Sequence, residues 1–398
     1  MKKRFLFKDI VGILNKRKII VIVGARQVGK TTLLKQLEEH LGKSGEKVYY
    51  FTLEDMDMLA DFNESPKNLL GLIDLAVDPI VFIDEIQYLD NPSNFLKYLY
   101  DMHHDKMRLV VTGSSAFYIE KKFKDSLAGR KRVFIMPTIS FKEFLYFKDM
   151  EDIIDSVLSS GVTRTTKRGL ENLFKEFVMF GGYPEVVTTP DTEEKKTILG
   201  EIVSSYMKRD IYESGIKREH KFFALAKILA GQIGNLMNKN ELSRLLGISL
   251  TAVDNYILAL QKSFHISLVP PFYTNVTKEI IKMPKLYFND IGFRNQLLND
   301  FRSFKDRQDK GNILENVFFM YLFGRKWDNI KYWRSKTGLE LDFVIDRESI
   351  EIKHSCRSKI KRQFSLFKQI HPDISVRLLC MRDYKTEDQY ILKNLLYE

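Results

Sequence analysis

Cysteine and tryptophan are nearly absent: the 398 residues hold two of each. Cys356 and Cys380 have no companions at metal-ligand spacing, which excludes a cysteine-bound metal and points to a reducing, cytoplasmic setting. His103, His104, His220 and His354 are dispersed and likewise lack zinc spacing. No apolar run approaches the roughly 18 residues that a membrane-spanning helix needs, so no membrane partner is expected. The opening stretch, MKKRFLFKDIVGILNKRK, is basic, but Asp9, Asn15 and Lys16 interrupt its short apolar run and no small-residue cleavage site follows. It reads as an amphipathic helix rather than a signal peptide. Internal repeats and low-complexity linkers are also lacking, so the parts of the chain are expected to pack together.

What is present is the composition of a folded protein, 44% hydrophobic and 29% charged. The length exceeds one ordinary core and calls for two to four domains. The net charge of +11 and pI near 9.2 point to a polyanionic partner, with nucleic acid, DNA in particular, as first candidate. A nucleotide-binding protein needs positive charge on its own account, so charge alone does not decide.

Ile19–Val23, Val48–Thr52, Ile80–Ile83, Leu109–Thr112 and Arg132–Met136 read as buried strands. Helix-length segments such as Thr31–Leu41 and Asn94–His103 separate them, which implies a mostly parallel, doubly wound sheet. From Phe141 to Gly215 helical periodicity takes over. Phe222–Gly231, Lys239–Leu246 and Thr251–Gln261, with a turn at Gly247 and a β-rich segment after Phe264, outline a winged helix-turn-helix. Ser249 suits an N-cap. Lys239, Arg244 and Lys262 are candidate phosphate contacts, although such modules also serve as lids or protein-docking units.

Gly24-Ala25-Arg26-Gln27-Val28-Gly29-Lys30-Thr31 has the full P-loop spacing, after an apolar strand and before a helix. Main-chain N–H groups from Gly24 to Thr32 would close around the phosphates of ATP at the positive end of that helix. Lys30 would reach the β- and γ-phosphates, and Thr31 would ligate Mg2+. Pro79-Ile80-Val81-Phe82-Ile83-Asp84-Glu85 delivers Asp84 to a strand end to hold the metal, with Glu85 polarising the attacking water. Ser114 or Ser115, after Leu109–Gly113, would sense the γ-phosphate or merely form a Gly-Ser turn. Arg130 is either an arginine finger or a salt-bridged surface residue.

GARQVGKTTLL, FIDEIQ, TGSSA, SLAGR, ISFKEF and GGYPEVV together resemble bacterial and archaeal AAA-type ATPases related to the STAND class, whose C-terminal part is a domain of unknown function. The resemblance covers essentially the whole chain. It implies an ATP-driven motor or switch, with homo-oligomers through the ATPase domain. It also implies a lid motif at Gly181-Gly182-Tyr183-Pro184 with Pro184 near adenine; by itself that sequence is only a tight turn.

Near the C-terminus, Glu340–Ile345 and Ile350–Lys353 read as a hairpin with Ile345 opposite Ile350. That register sets Asp342 against Lys353 and Val344 against Glu351, and it puts Asp342, Glu351 and Lys353 on one face. The arrangement resembles the PD-(D/E)XK nuclease core, with Glu315 as the acid on the preceding helix and Gln363 as an accessory residue on the following one. The Asp342 segment lacks the nominal proline. The resemblance implies Mg2+ held by Glu315, Asp342 and Glu351, and a water positioned by Lys353 with Glu351 in catalysis. The alternative is an exposed strand face bearing ordinary ion pairs. Trp327 and Trp333 are expected in cores. The expected architecture is therefore α/β: a P-loop AAA-type parallel sheet over residues 1–140, a helical lid over 141–218, a winged helix-turn-helix over 219–280 and a restriction-endonuclease-like domain over 281–398.

Overall fold

Short runs rich in valine and isoleucine, buried on both faces, favour a parallel sheet covered by helices. The structure, a computed structural model, builds one. It describes residues 2–113, 127–273, 282–325, 329–357 and 361–397. Two units emerge, the first running to Pro137 and including Lys262–Phe264, the second holding Thr138–Gln261 and the chain from His265 onward.

In the first unit β1 (Ile19–Val23), β2 (Val48–Thr52), β3 (Ile80–Asp84), β4 (Arg108–Gly113) and β5 (Lys131–Ile135) lie parallel in the order β2-β3-β4-β1-β5. Each strand matches its expected span to within a residue at either end. Every residue of β1, β3 and β4 is buried, and the C-terminal ends of β3 and β4 bring the polar side chains of Asp84 and Thr112 together. Helix α1 (Lys30–Lys43) buries Leu33, Leu34, Leu37 and Leu41, one apolar stripe at helical spacing. Helix α2 (Pro92–His103) starts where the Asn91 side chain accepts from the Asn94 amide.

The second unit begins with five helices, α3 (Phe141–Phe147), α4 (Glu151–Ser160), α5 (Arg164–Phe180), α6 (Pro184–Thr188) and α7 (Thr192–Glu213). Glycine is required between α5 and α6. A Cβ on Gly182 would stand 2.1 Å from the Ile139 carbonyl oxygen, and that carbonyl's own amide donates to Gly182 at 2.7 Å. The Gly182 amide in turn donates to the buried Asp290 carboxylate at 2.8 Å. Gly-Gly-Tyr-Pro is thus a close backbone seam as well as a turn, with Pro184 opening α6.

Next come α8 (Glu219–Gly231), α9 (Lys239–Leu246) and α10 (Leu250–Lys262). Gly247 ends α9 with φ +61°, and the Ser249 hydroxyl accepts from the Ala252 amide at 3.2 Å, as its N-cap assignment requires. Strands β6 (Ile266–Val269) and β7 (Lys285–Phe288) pair antiparallel, Val269 facing Lys285. After α11 (Ile291–Leu298), the helix α12 (Lys310–Gly324) is buried nearly all round. Strands β8 (Lys331–Arg334), β9 (Glu340–Ile345) and β10 (Glu348–Ser355) follow, then α13 (Lys361–Ile370) and β11 (Ser375–Arg382). Their sheet runs β11-β10-β9-β8, with β10 and β11 parallel and the other pairs antiparallel.

Two expectations need correction. The β9–β10 hairpin pairs Ile345 with Glu348 and Phe343 with Ile350, two residues from the expected register. Asp346, at φ +49°, closes a tighter turn than the four polar residues promised, and Ser349 joins the strand, its hydroxyl donating to the Phe343 carbonyl. A shift of two preserves side-chain alternation, so Asp342, Glu351 and Lys353 still share a face. The cysteines are also not solitary: Cys356 and Cys380 form a disulfide, their Cα atoms 5.5 Å apart. Trp333 packs edge-on against Phe367, while Trp327 lies outside the described residues. Among the described residues no helix is long and apolar enough to cross a membrane.

Candidate active site

In the first unit, the chain leaves β1 at Gly24, where a Cβ would lie 2.3 Å from the Met136 carbonyl oxygen. Only glycine fits, and the loop runs on to α1, whose N-cap is Gly29. Lys30 is 4% exposed; its ammonium donates to the Gly24 and Ala25 carbonyls at 3.1 and 2.8 Å. Burial pushes it down to about 8, against the opposing pull of Glu85 and Asp84. The side chain is therefore folded back on its own loop, a buried cation whose partners are main-chain carbonyls.

Asp84 ends β3, 2% exposed. Its Oδ2 accepts from the Thr31 hydroxyl at 2.7 Å and from the Tyr50 hydroxyl at 2.9 Å, and its Oδ1 accepts from the Thr112 hydroxyl. Thr112, fully buried near the end of β4, also accepts from the Glu85 amide at 3.0 Å. β4 lies between β1 and β3, so one threonine ties the carboxylate on one side to the backbone of the next acid. Glu85 itself is left-handed at φ +59°, a conformation costing about 1 kcal/mol for a residue with a side chain; its carboxylate accepts from the Gln87 amide. Burial, then the Asp84 charge, raises the Tyr50 phenol well above its usual value.

The structure therefore brings Lys30, Thr31, Asp84 and Glu85 together around the loop of Gly24–Gly29. These residues fit a magnesium nucleotide: a pre-bent ammonium, a hydroxyl–carboxylate pair that a hard cation can enter, and main-chain amides at a helix start. Thr112 and Tyr50 were missed. A polar residue closing an otherwise apolar strand was the available signal for Thr112; Tyr50 sits in a run, Tyr49-Tyr50-Phe51, that reads as core. Ser114 and Ser115 lie outside the described residues. Arg130 pairs with Asp101 through two bonds, at 2.6 and 3.1 Å, which is the salt-bridged alternative. Pro184 belongs to the second unit.

The second unit gathers a different cluster. Asp342, Glu351 and Glu315 are at most 9% exposed, so the open strand face with solvated ion pairs is not what forms. Lys285, from β7 and 1% exposed, sends its ammonium to Glu340, Glu315 and Asp342 at 2.6, 2.8 and 3.1 Å. The Tyr287 hydroxyl, two residues on and hence on the same face, donates to the same Glu315 oxygen at 2.6 Å. Asp342 accepts from the Ile352 amide at 2.9 Å, and Glu351 from the Asp342 amide at 3.2 Å. Lys353 meets Glu351 at 2.5 Å.

Burial and then the Asp342 charge raise Glu315 to about 7 and Glu351 to about 8, with Lys285 and Lys353 only partly offsetting. The expected magnesium ligands Glu315, Asp342 and Glu351 thus converge, but two of them converge on a lysine. Among the described residues no group of three or more His, Cys, Asp or Glu side chains is arranged to hold a metal ion. The donor set does not fit a divalent cation with Lys285 in place. The His354 ring lies against Phe304. Lys239 of α9 pairs with Asp254 of α10 at 2.6 Å, and Arg244 is exposed.

Residues 16–145 match the model of an AAA domain. Residues 171–303 and 310–395 match two domains of unknown function, DUF8612 and DUF4143. An uncharacterized protein of Methanocaldococcus jannaschii is 30% identical over 89% of this chain and 78% of its own length. An uncharacterized protein of Haemophilus influenzae is 25% identical over 82% and 79%. Among solved structures, AMPPCP-bound DnaA from Aquifex aeolicus aligns over 64% of this chain and 86% of that one, at 16% identity and a TM-score of 0.28, too slight a likeness to bear on function.

Two outcomes follow from this geometry. Thr112→Val keeps the volume and removes the bridge between Asp84 and the Glu85 amide. ATP turnover is expected to fall at least about tenfold with ATP affinity changed less than about threefold; unchanged steady-state hydrolysis would refute the bridge. For the second cluster, the folded chain holds protons on Glu315 and Glu351 up to about 7 and about 8 that the unfolded chain releases near 4.5. Stability must then decline as pH rises between those values. Thermal unfolding should show a smaller decline from pH 5 to 8 in Glu351→Gln than in wild type; equal slopes would contradict the assignment.

Proposed function

This chain belongs to the family of AAA-type P-loop ATPases that carry a C-terminal DUF4143 domain, and from that premise we propose that it is an ATP-hydrolysing switch acting on nucleic acid without cutting it. The carrying observation is the Asp84 carboxylate fastened to the Thr31 hydroxyl at 2.7 Å beside the buried Lys30. Thr31 and Asp84 would hold a hard cation, which would supply charge neutralisation at the phosphates.

Lys30 would leave the Gly24 and Ala25 carbonyls for the terminal phosphates, a move its buried site favours once negative charge arrives. The Glu85 carboxylate takes a proton from the attacking water, and its backbone, held by Thr112, fixes its approach. The Tyr50 hydroxyl, donating to the same Asp84 oxygen at 2.9 Å, would compete with a metal held there and so tie strand β2 to the site. Arg130, tethered to Asp101, would act on a neighbouring subunit only after breaking that pair.

Nucleic acid is supported by the net charge of +11 and by the helix-turn-helix α9–α10 with its β6–β7 hairpin, read as a winged module. The helix α12 bearing Glu315 and the β9–β10 hairpin bearing Asp342, Glu351 and Lys353 support a nuclease-like frame. Lys285 among the carboxylates favours binding over cleavage. A second reading, in which the module docks a protein, is favoured by Leu245, Leu250 and Leu258, exposed at 62%, 45% and 43%.

The test measures ATP hydrolysis together with retention and cleavage of labelled DNA and RNA in Mg2+ or Mn2+. Lys30→Ala and Glu85→Gln should each lower hydrolysis about 10²-fold or more. Wild type should retain nucleic acid with affinity falling steeply as salt rises and release no cut product. Cleavage by wild type, or hydrolysis unaffected by either substitution, would overturn the proposal.

A further inference from the structure

Lys285 is the unexpected member of the C-terminal cluster. It does not belong to the segment that supplies the carboxylates. It lies in residues 171–303, whereas Glu315, Asp342 and Glu351 lie in residues 310–395. Strand β7 fixes its backbone on both edges, paired with Val269 of β6 and bridged to Leu236. The stem is enclosed, at 1% exposure, so the ammonium has no route to solvent that leaves the strand intact. A long lysine at a surface would withdraw when a divalent ion arrived; this one cannot.

Most of the oxygens around it already accept from other groups. Both Asp342 oxygens are taken, one by Lys285 and one by the Ile352 amide. Both Glu351 oxygens are taken, by Lys353 and by the Asp342 amide. Glu315 Oε1 accepts from Lys285 and Tyr287 together, and Glu340 gives one oxygen to Lys285 and turns the other toward Arg334. A backbone also closes in: a Cβ on Gly234 would be 3.2 Å from the second Glu315 oxygen. An ammonium is a compact, three-donor point charge; this one donates to Glu315 at 2.8 Å and to Asp342 at 3.1 Å and forms a third ion pair with Glu340 at 2.6 Å.

The geometry points to Lys285 as the resident cation of this cluster: a tethered ammonium occupies the position a divalent metal would need, so the native centre holds no metal and removal of the lysine opens a divalent-cation site. This deepens the non-cleaving reading of the C-terminal domain, on which it rests. It also gives the β6–β7 hairpin a purpose beyond the helix-turn-helix, since the hairpin completes the charge balance of the neighbouring sheet.

Mn2+ alone, followed by electron paramagnetic resonance on the nucleotide-free full chain, decides the matter. Wild type and Asp342→Asn should bind the same amount of Mn2+. Lys285→Ala should gain a bound ion, at least about tenfold tighter than any in wild type because a buried like charge has gone, and Lys285→Ala/Asp342→Asn should lose it. Circular dichroism checks that the variants fold; if Lys285→Ala does not, the comparison of wild type with Asp342→Asn still decides. Mn2+ bound by wild type and lost in Asp342→Asn would overturn the inference, as would a folded Lys285→Ala that gains none. Metal bound by wild type and lost in Asp342→Asn, without strand cleavage, would sink this inference alone, whereas cleavage would sink the function proposed above, so the two failures are distinguishable.

Discussion

A buried carboxylate at a strand end, held by three hydroxyls among the described residues, is the constraint on which the first unit is organised. Asp84 reaches that position because β3 is apolar to its last residue, and Thr31, Tyr50 and Thr112 reach it from α1, β2 and β4. Hydroxyls stabilise the charge without neutralising it. The carboxylate therefore stays folded and paired, yet retains the full attraction for a cation that a salt bridge would have spent. The same arrangement explains why Glu85 is held left-handed: its amide is the donor that completes Thr112.

The C-terminal cluster solves the opposite problem with the same residue types. Its carboxylates are as buried as Asp84, but they face an ammonium from β7 and a second from Lys353 rather than hydroxyls. Burying several charges is costly unless each is paired and hydrogen-bonded, and removing one partner from such a set destabilises the remainder. One carboxylate thus faces neutral donors and the other set faces cations. The distinction between them is the chemical class of the donor, not the number of acids.

Much of the first unit was legible from residues alone, because its strands are short, apolar and punctuated by helices, and because P-loop spacing fixes what Gly24, Lys30 and Thr31 must do. The polar neighbours were less visible. Thr112 and Tyr50 act through three-dimensional adjacency of β2, β3 and β4, which spacing along the chain does not encode. Lys285 had a faint signal: a charged residue at the start of Leu286-Tyr287-Phe288, where burial demands a partner. That partner lies in a helix and a strand further along, so only the fold could supply it. The hairpin register failed by two because Ser349 reads as a turn residue yet is buried in a strand. The cysteines were judged by local spacing, whereas parallel pairing of β10 with β11 brings positions 24 apart in sequence together.

The account stands on a magnesium nucleotide entering between Thr31 and Asp84. Calorimetric titration of ATP into the folded chain, with and without Mg2+, and into Asp84→Asn, reads that event directly. A saturable heat that requires Mg2+ and weakens at least about tenfold in Asp84→Asn is the predicted result. No heat from wild type at millimolar ATP with Mg2+, or the same heat from Asp84→Asn, would contradict it.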